Sequence, residues 1–549
     1  MSEKPDPSSP SPAPKRSFQA PKGTRDLYPA DLLKKRYIEH CWRAVSLRHG
    51  FDEIDGPTFE TADLYRVKSG EGILGEMFGV YSGKDPSDIE AVQRGEPPFA
   101  LRPEFTPTLA RMYAARAKQL PQPTKWFCVP NFFRAERPQR GRLREFQQWN
   151  VDFLGSTRVA SDDLAESGGS PFIDLAEGEV LETIASSLQE FGLRCPDCRI
   201  KCSSREFVKT LLSLGGFVGE QEVAVLNLLD QLAKLSESDF HQRAVAIGMS
   251  METSSLIREV LTYEPTIDRT DINRAKAQAQ EYFDFLRDRA RRIGGARAPQ
   301  PVHPDQDPVN VLIGHATVLT WTAASHNMSS WLEFDPRIVR GLAYYTGTVF
   351  EVIAEGERAV AGGGRYDNLI ELFGGPPTPA CGFGMGDVVL ANLLHDKGLM
   401  PEGRELVEAL SRPLPMRCDV FVIGASREDD KEQRNIDWAI LPLIAHLRHG
   451  VESDVYLDSR ASDDAAKRMK PWAAARYHAA PLHARRSYKS TRNVGKLLAD
   501  ASGAHARYAA IIERVDDSSA LAGVCTLKNL DTGEQVKDVP LTDIAARIK

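Results

Sequence analysis

Apolar residues recur every three or four positions from Leu33 through Tyr37, Ile38, Cys41, Trp42 and Val45. That spacing predicts an amphipathic helix over 31–49, closed by Gly50. The pattern then changes period: FDEIDGPTFE (51–60) reads as a strand interrupted by Pro57. Within 126–155 two β-rich runs, WFCVPNFFRAE and LREFQQWNVDFLG, flank the polar RPQRGR, which predicts an antiparallel hairpin with a long tip. Helical periodicity returns in NLLDQLAKL and DINRAKAQAQEYFDFLRDRARRI and marks 207–310 as a helical insertion, ended by the loop GGARAPQPVHPDQDP. Strand pattern resumes in RGLAYYTGTVFEVIAE. The glycine run AGGGRYDN that follows reads as a tight turn between strands, and FGGPPTPACGFGMG comes after it. A linker over 401–415 leads to MRCDVFVIG, RNIDWAILPLIAHLRHG and SDVYLD, whose strand–helix–strand order predicts a separate α/β domain over 416–549.

The two-residue period of a strand sorts side chains by face. In the second half of the hairpin Arg142, Arg144, Phe146, Gln148, Asn150 and Asp152 share one face. In the first half Arg134 and Glu136 do, and in LRPEFTP so do Arg102, Glu104 and Thr106. Polar faces in otherwise apolar strands are costly to bury unless they are paired or used on a ligand. A solvated face with ordinary ion pairs accounts for the charges; it accounts less well for the mixture of guanidiniums, carboxylates, amide and ring. Planar guanidinium forks suit phosphate and carboxylate oxygens, the carboxylates suit an ammonium, and Phe146 offers a flat surface for a base. A ligand zwitterionic at one end and nucleotide-like at the other satisfies the set.

Composition narrows the picture. The 549 residues are 42% hydrophobic and 26% charged, ordinary for a globular chain of several domains. Sixty-nine Lys+Arg against 76 Asp+Glu give a net charge of −7, so a polyanion would need locally concentrated positive charge. Eight scattered cysteines and a Pro/Ser-rich start without an apolar signal core predict reduced thiols, a disordered tail over 1–20 and a cytoplasmic location. No run of about 18 apolar residues predicts a membrane span. Cys195, Cys198 and Cys202 lack a second pair at matching spacing and are read as ordinary thiols, with no protein-only metal site.

The hairpin resembles motif 2 of the class II aminoacyl-tRNA synthetases, with Phe133, Arg134, Glu136, Arg142 and Phe146 at the pattern positions. Within that class PKGTRDLYP (21–29), LRPEFTPTLAR (101–111), VRGLAYYTGTVFE (339–351) and GGGRYDNL (362–369) resemble histidyl-tRNA synthetases. The likeness covers about 21–206 and 310–395, and more faintly 415–549, where LKNLDTGEQ and the element order match the anticodon-binding domain. It implies an α+β fold: a six-stranded antiparallel catalytic sheet flanked by helices, split into 21–206 and 311–400 by the insertion, with the C-terminal α/β domain appended. It also implies a homodimer assembled through the first helix and strand. The implied reaction activates L-histidine with ATP and Mg2+, then transfers it to tRNA(His).

By the same resemblance, Arg134 and Arg340 would flank the α-phosphate as the catalytic cations. Arg134, Glu136, Arg142, Phe146, Gly384 and Gly386 would hold ATP. Glu104, Phe105, Thr106, Gln148, Asp152, Tyr344 and Tyr345 would join Arg134 and Arg340 around histidine. Two departures stand out. Val388 and Val389 occupy the places of a motif 3 Glu-Arg pair, with Arg365 or Arg144 as candidate substitutes, and Ala343 replaces a common Asp. A non-ligating regulatory relative is the alternative that the altered motif 3 favours. Finally, 467–496 carries nine Lys and Arg, no Asp or Glu, and Trp472, Tyr477 and Tyr488 between them. Arg485, Arg486, Lys489 and Arg492 in that stretch are the expected tRNA contacts.

Overall fold

The computed structural model describes residues 18–549 apart from 70–74, 157, 161–171, 196, 230, 233–234, 264–271, 295–327, 329–330, 339–343, 355, 426–429, 453–476, 490, 516–520 and 549. The expectations for the N-terminal tail up to residue 17, Arg340, Ala343, the SDVYLD strand and the first part of the basic stretch lie outside the described residues.

The hairpin forms, and it is part of a larger sheet. The strands of that sheet, in chain order, are β1 (Asp52–Glu53), β2 (Thr124–Cys128), β3 (Asn131–Phe133), β4 (Glu145–Leu154), β5 (Cys198–Ser204), β6 (Leu332–Phe334), β7 (Thr348–Ala354), β8 (Ala361–Arg365) and β9 (Ala380–Gly386). Their order in space is β1-β2-β4-β9-β8-β7-β5-β6, with β3 also on β4. The expected sheet had six strands. The extra ones are short edge pieces, and the edge pairs β1/β2 and β5/β6 are parallel while the rest are antiparallel.

Alternation along β4 decides which face is sealed. Trp149, Val151 and Phe153 are fully buried on one face, beneath α1 (Pro29–Arg48). The Trp149 indole N–H donates to Ser46 Oγ at 2.9 Å, and its ring lies 5.9 Å from that of Trp42. On the opposite face, where Gln148, Asn150 and Asp152 project, α2 (Thr106–Arg116) closes one end with Phe105, Leu109 and Tyr113. The sealed face is completed by α3 (Ala176–Glu190), whose Val180, Leu181, Ile184 and Leu188 are fully buried.

The glycine run is not a turn. Ala361–Arg365 is the interior strand β8, paired on both sides. A Cβ at Gly363 would stand 2.1 Å from the Gly382 carbonyl oxygen, so the run marks close backbone approach within the sheet.

The insertion is helical, as its periodicity predicts: α4 (Arg205–Leu214), α5 (Glu220–Leu229), α6 (Glu237–Ala246), α7 (Met251–Thr262) and α8 (Ile272–Gly294). Leu212, Leu226, Phe240, Ile257 and Leu286 give it a core of its own. After β9 comes α9 (Asp387–Asp396). The segment read as a linker holds α10 (Gly403–Leu410), whose Leu406 and Ala409 join the main core, so 401–415 is packed structure and not a tether.

The C-terminal domain is a five-stranded sheet of β10 (Val420–Gly424), β11 (Ala484–Arg486), β12 (Tyr508–Val515), β13 (Gly523–Asn529) and β14 (Gln535–Pro540), in the order β11-β10-β12-β13-β14. Val420 and Val422 face α11 (Asp430–His449), and Phe421 and Ile423 face α12 (Val494–Gly503). No described helix is long and apolar enough to cross a membrane.

Candidate active site

The polar face of β4 opens into a cavity of about 250 Å3. From the expected set it gathers Glu104, Thr106, Arg134, Arg142, Phe146, Gln148, Asp152, Tyr344, Tyr345, Gly384 and Gly386. Residues from four separate stretches of sequence thus reach one space.

Its floor is bare backbone. Gly382, Gly384 and Gly386 lie opposite Asp152, Asn150 and Gln148 in register. A Cβ at Gly382 would stand 2.1 Å from Asp152 Oδ1, and one at Gly384 would stand 2.8 Å from the Gln148 amide. Any larger residue would take the volume those two side chains fill.

At the carboxylate end, Asp152 is almost fully buried and accepts a short hydrogen bond from Tyr366 Oη. Burial, reinforced by the Asp152 charge, holds the Tyr366 phenol well above its ordinary pKa, so it stays a donor. The rings of Tyr344 and Tyr345 lie 4.4 Å apart, and Tyr344 meets Tyr366 edge-on at 6.0 Å. Glu104 and Glu351 add two more carboxylates to the lining.

At the cationic end, the Arg134 guanidinium lies 5.1 Å from the Phe146 ring centroid, and its Nε donates to the Pro103 carbonyl at 3.1 Å. Burial lowers the Arg134 pKa against the pull of Glu104 and Glu136. An arginine starts so high that it stays charged. Arg142 Nε meets Glu136 Oε2 at 2.9 Å. Glu136 itself is partly exposed and is outside the cavity lining, held against Arg142.

The base of the motif 2 loop is clamped from the N-terminus. Arg144 N donates to the Gly23 carbonyl at 2.8 Å, and Arg25 reaches Asp387 at 2.6 Å. Asp387 also accepts from Gln147 N at 2.9 Å, which ties the start of α9 to β4.

Several expectations are redirected. Phe105 is buried among Leu109, Tyr113 and Phe132 and supports the site from behind. Arg102 is turned away from the cavity and donates to the carbonyls of Asn131, Gly56 and Pro57 at 2.8, 2.9 and 3.3 Å. The strand ends at Leu101, so the two-residue period does not continue through 102–106. Arg365 is held by both carboxylate oxygens of Glu177 and by Asp367. Arg144 donates to the Glu136 carbonyl at 3.2 Å. Neither lines the cavity, so neither fills the place left by Val389.

Sequence reasoning missed Tyr366 and Glu351. A lone carboxylate in the apolar strand TVFEVIA signals Glu351; Tyr366 has no comparable local signal.

The basic stretch has a different use where it is described. Glu179 on α3, fully buried, accepts from Lys125 Nζ at 2.6 Å and Tyr488 Oη at 2.7 Å, and pairs with Arg486 at 3.3 Å. Arg448 bridges Glu182 and Glu179 at 3.3 and 3.5 Å, and Arg485 reaches Asp52 at 2.9 Å. Lys489 pairs with Asp500. Arg485 and Arg486 therefore bind the C-terminal domain to acids of the catalytic domain, where an RNA backbone was expected. Arg492 is exposed just ahead of α12. Burial alone would raise the Glu179 carboxyl; Lys125, Arg448 and Arg486 outweigh it and hold the group well below the usual carboxylate range. Burial lowers Lys125 to about 8, even with Glu179 beside it.

Built this way, the catalytic domain falls in the class II aminoacyl-tRNA synthetases. A crystal structure of histidyl-tRNA synthetase from Nostoc sp. PCC 7120 shares the fold with a TM-score of 0.53, over 97% of this chain and 99% of its own, at 20% identity. The family profile described as histidyl-tRNA synthetase matches residues 23–387, and the chain belongs to that family. A histidine–tRNA ligase of chloroplasts and mitochondria from Arabidopsis thaliana is 33% identical over 390 residues, 71% of this chain and 68% of its own. One from Pyrococcus abyssi is 28% identical over 532 residues, 96% and 98% of the two chains. The activity is histidine–tRNA ligation driven by ATP, and the regulatory-subunit alternative finds no support in these relatives.

Proposed function

We propose that this cavity holds histidine at its carboxylate end and ATP at its arginine end, and that adenylation takes place between them. The observation that carries this is the confluence on one glycine floor of Asp152, Gln148 and Glu104 with Arg134, Arg142 and Phe146. Asp152 and Glu104 neutralise the histidine ammonium, Gln148 and Thr106 offer hydrogen bonds, and Tyr344 and Tyr345 wall the side-chain end. Phe146 provides the surface for adenine, with Glu136 turning from Arg142 to the exocyclic amine. A histidine carboxylate oxygen attacks the α-phosphorus, the bond to the β-phosphate oxygen breaks, and pyrophosphate leaves. Such a transfer needs positioning and charge neutralisation more than covalent help. Arg134 supplies fixed positive charge, and Arg340 is its counterpart by the family resemblance. A terminal ribose hydroxyl of tRNA(His) then attacks the acyl carbon, with AMP leaving.

Among the described residues there is no trio of metal-ligating side chains. Mg2+ would enter on the ATP phosphates, where its usual mode adds one or two carboxylates to the substrate's oxygens, and its chemistry would be to neutralise the polyphosphate. The C-terminal domain offers the tRNA a second site, and the enzyme works in the cytoplasm as a homodimer through α1 and β1.

Histidine-dependent ATP–pyrophosphate exchange tests the assignment. Arg134→Ala should lower kcat by roughly 10²–10³, the range for one preorganised charge donor. Asp152→Asn should raise the KM for histidine and leave that for ATP in place. Exchange insensitive to both would refute the reading.

A further inference from the structure

The wall facing the nucleotide end of the cavity is formed by Gly141, Ala359, Val360, Val388 and Val389, and none of these carries charge. Arg134 and Arg142, the cations in the lining, are each already engaged: Arg134 on the Phe146 ring and the Pro103 carbonyl, Arg142 on Glu136. A triphosphate bound there brings more negative charge than these two arginines offset.

Arg358 stands at that wall. It immediately precedes Ala359 and Val360 in the loop between β7 and β8. Its Cδ lies 3.7 Å from where a Cβ on Gly141 would sit, and Val389 Cγ2 lies 3.1 Å from the same point. The arginine stem and Val389 therefore both come up against Gly141 of the motif 2 loop. Its side chain is exposed. The adjacent acid, Glu357, is already held by Arg140 at 2.6 Å, and Arg140 is held in turn by Asp396 at 2.8 Å. That leaves Arg358 as a guanidinium with no ion pair among the described residues, on a flexible stem at the cavity mouth.

We propose that Arg358 binds the terminal phosphates of ATP and supplies, from the β7–β8 loop, the positive charge that Val389 cannot. The inference rests on the placement of ATP given above and goes beyond it by naming a ligand residue outside the family motifs.

The test is direct binding to the full-length protein of a non-hydrolysable ATP analogue and of AMP, for the parent, Arg358→Ala, Arg358→Lys and Phe146→Ala. An exposed residue can be truncated without loss of fold, which an unchanged melting temperature will confirm. Arg358→Ala should weaken the ATP analogue about tenfold or more, which is about 1.4 kcal/mol at a factor of ten per 1.4 kcal/mol, and leave AMP within twofold. Arg358→Lys, which keeps the charge, should recover most of the loss. Unchanged binding of the ATP analogue by Arg358→Ala, or an equal loss for AMP, would overturn the proposal. Phe146→Ala should weaken both nucleotides. If it weakens neither, the placement of ATP itself fails, which separates the two conclusions.

Discussion

Replacing Glu179 with Gln tests the account of how the two domains are joined. The carboxylate is fully buried and answers three cations, Lys125, Arg448 and Arg486, as well as the Tyr488 hydroxyl. A buried ion pair adds little net stability over a well-packed apolar pair, but removing one partner strands the other and costs about 3–5 kcal/mol. Two features place the expected loss at the lower end. Arg448 keeps Glu182 at 3.3 Å. Lys125, at about 8 already, drops further without its partner and sheds its proton near neutral pH, so a neutral amine replaces a stranded ammonium. We therefore expect Glu179→Gln to lose about 3 kcal/mol in urea titrations followed by tryptophan fluorescence. Lys125→Met in the same background should return part of the loss, because charge and counter-charge then leave together. None of these residues lines the cavity, so histidine-dependent exchange should persist in the folded variant. A loss below about 0.5 kcal/mol, the scale of an ordinary surface substitution, would refute the reasoning, as would a double variant no more stable than the single one.

Two further outcomes are expected. Tyr366→Phe removes the donor to Asp152, an interaction with a charged group of about 1.5–3 kcal/mol; the KM for histidine should rise about tenfold in exchange kinetics while that for ATP holds, and equal changes in both would assign Tyr366 a general structural role. Burial raises Glu182 from the ordinary 4.5 to about 7, so between those values the folded chain holds a proton that the unfolded chain has released. Its contribution to stability is therefore full below about pH 4.5 and lost as pH climbs through 7. Glu182→Gln should flatten that decline when urea midpoints are compared at pH 5 and pH 8; parallel curves for variant and parent would count against it.

Local pattern carried much of this architecture. The period of two along β4 separates Trp149, Val151 and Phe153 from Gln148, Asn150 and Asp152, and the structure puts those sets on opposite faces. What pattern could not carry was the identity of distant partners. The glycines of β8 look like a turn because their reason for being small, the carbonyl of Gly382 pressing from the next strand, is remote in sequence. Arg485 and Arg486 look like an RNA surface because a run of cations has the same pattern whether it faces phosphates or carboxylates. Glu179 lies 307 residues from Arg486, and nothing local announces it. Likewise Arg102 is drawn to the carbonyls of Gly56 and Pro57, which the chain brings beside it only by folding back.

The way the helical insertion is hung on the sheet bears on how this family can change. Its chain departs after β5 and comes home on β6, the immediate neighbour of β5, with Ile200 beside Leu332. Its five described helices pack largely on one another. Lengthening, trimming or exchanging that module alters what hangs from the rim of the sheet and leaves untouched the strands that shape the reaction chamber. The enzyme thus has one region free to diversify, for a new contact with its RNA or with another protein, and another in which a single methyl group at position 382 is already too much.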